Sequence, residues 1–182
     1  MSCDISPVPR QFIESDLPFS FPPDHWVRAF DEHRFYKAIS GQGLKAVDFA
    51  VLPPSGPLQL IEVKNYHPRL DAEGSPYPVT PPTADQLVHQ LLGKYEDSQR
   101  IIRIVNSYYQ RKWHYRTQLR LASYFPNPWS DTDLLFWTSA ARRSQTDQPQ
   151  AVLHLAVPDH LLDFRRSVTE RLSKENPSWQ FH

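Results

Sequence analysis

No proline occurs between Thr83 and Phe125, although 18 of the 182 residues are proline, about twice the usual share of ~5%. Proline lacks a backbone donor and fixes φ, so it is excluded from helix interiors and central strands. Its distribution therefore divides the chain. Pro7, Pro9, Pro18, Pro22 and Pro23 mark residues 1–23 as an irregular lead-in, followed by one domain over residues 24–182. Asp24 can cap a helix running through Trp26, Val27, Phe30 and Phe35 to about Ile39, which Gly41 and Gly43 end. Pro53, Pro54, Gly56 and Pro57 form a turn between two strand-like runs, Leu44–Leu52 and Leu58–Lys64. Residues 65–83, with six prolines or glycines, read as a long loop. In the proline-free stretch Leu87, Val88, Leu91, Leu92, Tyr95, Ile102, Val105 and Tyr108 recur at helical spacing, which predicts a long helix from about Asp85. A second helix fits 110–123, strands fit Asp133–Ala140 and Ala151–Pro158, and a closing helix fits His160–Glu175.

The expected fold is α/β, a central mixed sheet flanked by helices. At 40% hydrophobic and 22% charged, the chain has the balance of a globular domain rather than a disordered one. No apolar stretch is long enough to span a bilayer, and Cys3 has no cysteine partner for a disulfide. The N-terminus shows no secretory pattern, so the expected location is cytoplasmic, with no membrane partner. G-x-G-x-x-G, Walker, G-x-S-x-G and zinc-ligand spacings are absent. The sequence therefore offers no support for nucleotide-cofactor, NTPase or serine-hydrolase chemistry.

Strand alternation isolates one constellation. In the first run Leu44, Ala46, Asp48, Ala50 and Leu52 share a face, and in the second Leu58, Leu60, Glu62 and Lys64 do. A hairpin centred on Ser55 sets Leu52 opposite Leu58, Ala50 opposite Leu60 and Asp48 opposite Glu62. Two opposed carboxylates on a core-like row repel each other and resist desolvation. Lys64 supplies one positive charge, and a divalent cation such as Mg²⁺ or Mn²⁺ is expected to supply the rest.

This arrangement resembles the PD-(D/E)xK nuclease superfamily, whose fold is restriction-endonuclease-like. The matching residues are Asp48 within Lys45-Ala46-Val47-Asp48-Phe49 and the E-x-K element Glu62-Val63-Lys64. The resemblance implies that Asp48, Glu62 and the backbone carbonyl of Val63 hold the metal. It implies that Lys64 orients or activates the attacking water and stabilises charge on the phosphate. It also implies an acidic residue from the first helix, with Glu32 preferred over Asp31. Val47 replaces the superfamily's proline. The Q-x-x-x-Y element of RecB-like branches is not matched, although Gln86 and Gln90 lie one turn apart and can face the site. The implied function is a Mg²⁺-dependent nuclease hydrolysing phosphodiester bonds, with DNA the favoured substrate. The competing reading is the same fold kept as a non-enzymatic module that binds nucleic acid or a protein; a homodimer or a partner subunit is left open.

Charge is segregated although the total is zero. Residues 1–97 carry 8 basic and 13 acidic side chains, residues 98–130 carry 6 basic and none acidic, and the remainder carries 6 and 7. Aromatic residues Tyr108, Tyr109, Trp113, His114 and Tyr115 interleave with that basic block. The expectation is that Arg111, Lys112 and Arg116 contact a nucleic-acid backbone.

Overall fold

A computed structural model describes residues 9–39, 41, 43–124 and 132–182. Cys3, the first eight residues of the lead-in and residues 125–130 of the basic block lie outside the described residues.

The chain begins with a hairpin, β1 (Arg10–Glu14) and β2 (Leu17–Phe21). Ser15 and Asp16 close it with φ of 51° and 63°, the left-handed values that a two-residue turn with strand-matching twist requires. An irregular segment was expected here. Pro18 is tolerated because the two strands form a sheet of their own with free edges.

The main sheet has the order β3-β4-β5-β8-β9, where β3 is Trp26–Ala29, β4 is Phe49–Leu52, β5 is Gln59–Asn65, β8 is Gln150–Ala156 and β9 is Trp179–Phe181. The β3–β4 and β4–β5 pairs are antiparallel, whereas β5–β8 and β8–β9 are parallel. The sheet is therefore mixed, as expected. The β4–β5 register matches Phe49 with Ile61 and Ala50 with Leu60, the register inferred from alternation.

Among the described residues five α-helices accompany the sheet: α1 (Arg34–Ile39), α2 (Ala84–Arg111), α3 (Trp113–Tyr124), α4 (Asp133–Thr146) and α5 (Leu162–Glu175). All five contribute to one apolar cluster, which includes Leu60, Leu87, Ile101, Trp137, Leu153 and Val168. The opposite sheet face presents Val27, Phe49, Val51, Ile61, Val63 and Val152, and the β1–β2 hairpin covers it with Phe12, Leu17, Phe19 and Phe21. Helices thus cover one face and a hairpin the other, a correction to the expectation of helices as the flanking elements. A second small hairpin, β6 (Arg69–Leu70) with β7 (Pro76–Tyr77), sits inside the expected loop.

Several boundaries differ. The helix expected over 24–39 is β3 followed by the short α1, because Trp26 to Ala29 pair with Leu52 to Phe49. The first run is extended over only Phe49–Leu52; upstream, Lys45 and Val47 donate their backbone N–H to the side chains of Asp97 and Ser98 on α2. The strand expected at Asp133–Ala140 is the start of α4. Thr132 caps it through Leu135 N–H, and Leu134, Trp137 and Ala141 recur at helical spacing on its buried side. Trp137 donates its indole N–H to His33 Nε2 at 2.8 Å, and burial lowers the His33 pKa. β9 had no counterpart in the sequence reading.

Candidate acid–lysine centre

Glu62 sits on β5 with its side chain toward the helix layer and has no solvent exposure. Neighbours on its row, Leu58 and Leu60, are equally buried. Burial of a carboxylate in such surroundings is sustained only by compensating charge. Two ammonium groups supply it. Lys64 Nζ lies 2.5 Å and Lys94 Nζ 2.7 Å from the same oxygen, Glu62 Oε1. Glu62 Oε2 is buried and has no hydrogen-bond partner.

Asp48 lies next to the start of β4, one register step beyond Phe49–Ile61, which sets it beside Glu62 as the alternation argument required. Its Oδ2 accepts the backbone N–H of Val63 at 2.7 Å, and its own carbonyl accepts from Phe30 N–H at 3.0 Å. Burial, and then the negative charge of Glu62, push the Asp48 pKa up to about 7; Lys94, the Val63 amide and Lys64 act in the opposite sense. Burial alone would lower the Lys64 pKa, but the charge and hydrogen bond of Glu62, with Asp48 and Tyr66, leave it raised. Lys64 is thus held as an ammonium.

Lys94 is the residue that sequence reasoning missed, and it changes the charge balance. Two carboxyl groups face two ammonium groups, so once Asp48 ionises, above about pH 7, neutrality is reached without a divalent ion. The signal was present in the sequence. Lys94 interrupts the apolar stripe of α2 three residues after Leu91 and seven before Ile101, both buried. A lone lysine on a core-facing stripe needs a buried acid to meet it.

The remaining expected site residues are dispersed. Glu32 and Asp31 are both exposed, in the turn between β3 and α1. Among the described residues no group of three or more His, Cys, Asp and Glu side chains could hold a metal ion, so Glu32 does not complete a carboxylate trio with Asp48 and Glu62. Gln86 is the third residue of α2 and forms its capping box: its Oε1 accepts from Thr83 N–H, and its own N–H donates to Thr83 Oγ1. Gln86 thus caps the start of α2. Gln90 is exposed. Arg111 ends α2, Lys112 joins α2 to α3, and Arg116 is on α3; all three are exposed.

The donors fit a hard divalent cation in kind. Glu62 Oε2 is buried and unpartnered, the second carboxylate oxygen of Asp48 is not engaged by Val63, and oxygen donors suit Mg²⁺ or Mn²⁺. Val63 brings a backbone carbonyl between Glu62 and Lys64.

Fold and centre together define an α/β protein with a mixed five-stranded sheet and an acid–lysine cluster on the helix-covered face. Comparison with protein families, with curated proteins and with solved structures found no match for the chain. Among the described residues no helix is long and apolar enough to cross a membrane.

Proposed function

We propose that the chain is a divalent-cation-dependent nuclease with a restriction-endonuclease-like fold, acting on DNA. The observation that carries this reading is the joint placement of Asp48, Glu62 and Lys64 on one sheet row, with an unpartnered carboxylate oxygen of Glu62 buried among them. Asp48, Glu62 and the Val63 carbonyl would hold Mg²⁺ or Mn²⁺. The bound ion would act as a Lewis acid toward the phosphate and lower the pKa of water. Lys64, held as an ammonium, donates hydrogen bonds to the attacking water or to a phosphate oxygen and is not a proton acceptor. Water adds at phosphorus, the bond to the leaving sugar oxygen breaks, and a proton of the water ends on that oxygen.

A second reading has support of its own. Lys94 completes a neutral cluster without metal, which favours an ion network serving the fold of a non-enzymatic binding module. One experiment separates the two. Labelled single- and double-stranded DNA and RNA are incubated with the protein in Mg²⁺, in Mn²⁺ and in EDTA. Cleavage that needs the cation and falls at least about 100-fold in both Asp48→Asn and Lys64→Ala supports the nuclease. Absence of cleavage under every condition, or undiminished cleavage in Asp48→Asn, overturns it.

A further inference from the structure

We propose that a groove along the C-terminal half of α2 binds single-stranded nucleic acid, holding its phosphates on Arg100, Arg103, Arg111 and Lys112 and a base on Trp113. Arg100, Arg103, Ile104, Ser107, Tyr108 and Arg111 recur at spacings of three and four, so they form one stripe on the helix. With Lys112 they line a groove of about 680 Å³.

Among the described residues the charge in that groove has no ion-pair partner. Residues 98–130 contain no acid, and among the described residues no carboxylate pairs with any of the four cations. Arg103 has only a long bond from Nε to the Gln99 carbonyl at 3.4 Å, and the Lys112 ammonium rests 5.9 Å from the centre of the Tyr108 ring. Four cations on one stripe, none in an ion pair among the described residues, attract a polyanion. From Arg100 to Arg111 the helix rises about 16 Å, at 1.5 Å per residue, long enough for the four cations to meet successive phosphates of one strand.

Exposed apolar groups identify the form of the polyanion. Ile104 and Tyr108, which line the groove, are 40% and 38% exposed, and Trp113, which follows Lys112 in the chain and opens α3, is 72% exposed. Solvated arginines need no such neighbours, whereas unstacked bases use aromatic faces directly. A duplex keeps its base faces inside the stack, and an acidic peptide has none. Arg116, expected at the interface, does not line this groove; Arg100 and Arg103 replace it. Neither acid of the Glu62 centre lines the groove, nor does Lys64 or Lys94, so the inference stands apart from the nuclease reading.

The test is fluorescence anisotropy of a labelled oligothymidylate of about twelve nucleotides, in EDTA, across a salt series, with the full chain. The double variant Arg103→Ala/Arg111→Ala is expected to raise Kd at least tenfold and make the slope of log Kd against log salt shallower by about 1.4. Trp113→Ala is expected to raise Kd at least fivefold, and the wild-type tryptophan emission to be quenched on binding. Arg166→Ala, at an exposed cation on α5, should leave Kd unchanged and so controls for net charge. Undiminished binding by the double variant overturns the proposal. So does equal competition by a duplex of the same length or by polyglutamate. Because the assay excludes divalent ions, loss of cleavage leaves this result untouched, and cleavage with unaltered binding in the double variant counts against the groove alone.

Discussion

Lys94 of α2 donates to Glu62 Oε1 of β5 at 2.7 Å across a separation of 32 residues. The bond ties the longest helix to the central strand. Lys64 approaches the same oxygen from along the strand. The acid is therefore held by one local and one distant cation, and only the distant one records that the tertiary fold has formed.

Removing the distant cation leaves a buried carboxylate with half its compensation. Lys94→Met is expected to lower stability by about 2–4 kcal/mol, and Glu62→Gln to restore part of that loss in the double variant. Urea unfolding of the four members of the cycle reads the coupling directly. A coupling below about 0.5 kcal/mol would mean that the contact contributes nothing to stability.

Asp48 makes stability pH-dependent in an unusual direction. Its folded pKa is about 7, above the ordinary 3.8, so between these values the folded state keeps a proton that the unfolded chain has released. The Asp48 contribution to unfolding free energy therefore falls as pH rises from about 4 to about 7 and is flat above, by about 2–4 kcal/mol in all. In EDTA, Asp48→Asn should lack this slope and be the more stable form at pH 8. Parallel pH profiles for the two proteins would refute the assignment.

The β1–β2 turn contains two non-glycine residues with positive φ. Ser15→Asn/Asp16→Gly installs the pair that this turn favours and is expected to raise stability by about 1 kcal/mol. The loss of the 3.4 Å pair between Asp16 and Arg69 is a small offset, since both side chains are exposed. Thermal unfolding checks it; a lowered Tm would show that the turn carries no such strain.

Trp137 is fully buried and donates to His33, itself 5% exposed. Trp137→Phe removes that bond and leaves space beside Phe30, for an expected loss of about 2–3 kcal/mol by denaturant unfolding. A loss below about 0.5 kcal/mol would mean that α4 is not anchored there.

Period-two alternation around a proline-glycine turn made the β4–β5 register legible, because a one-residue slip would have put Asp48 and Glu62 on opposite faces. The long helix was legible for a similar reason: no proline interrupts it, and apolar residues recur along one face on both sides of Lys94. Trp26–Ala29 was misread because Trp26, Val27 and Phe30 suit a helix period as well as a strand, and the deciding bonds come from β4. Leu134, Leu135, Phe136 and Trp137 form an unbroken apolar run that a strand accepts equally; Thr132 was the overlooked cap. β9 has only three residues and owes its existence to parallel pairing with β8. At the centre, strand alternation exposed Asp48, Glu62 and Lys64, whereas Lys94 belonged to a different element and period.

Val63 faces two ways. Its side chain packs under the hairpin with Val27 and Ile61, while its amide holds Asp48 on the other side of the sheet. Erosion of the aromatic padding at Phe12 or Phe19 would loosen β5 from behind and so shift the very N–H that restrains the upward shift of the Asp48 pKa. Damage on the hairpin side would then register as altered proton affinity in a side chain that the lesion never touches.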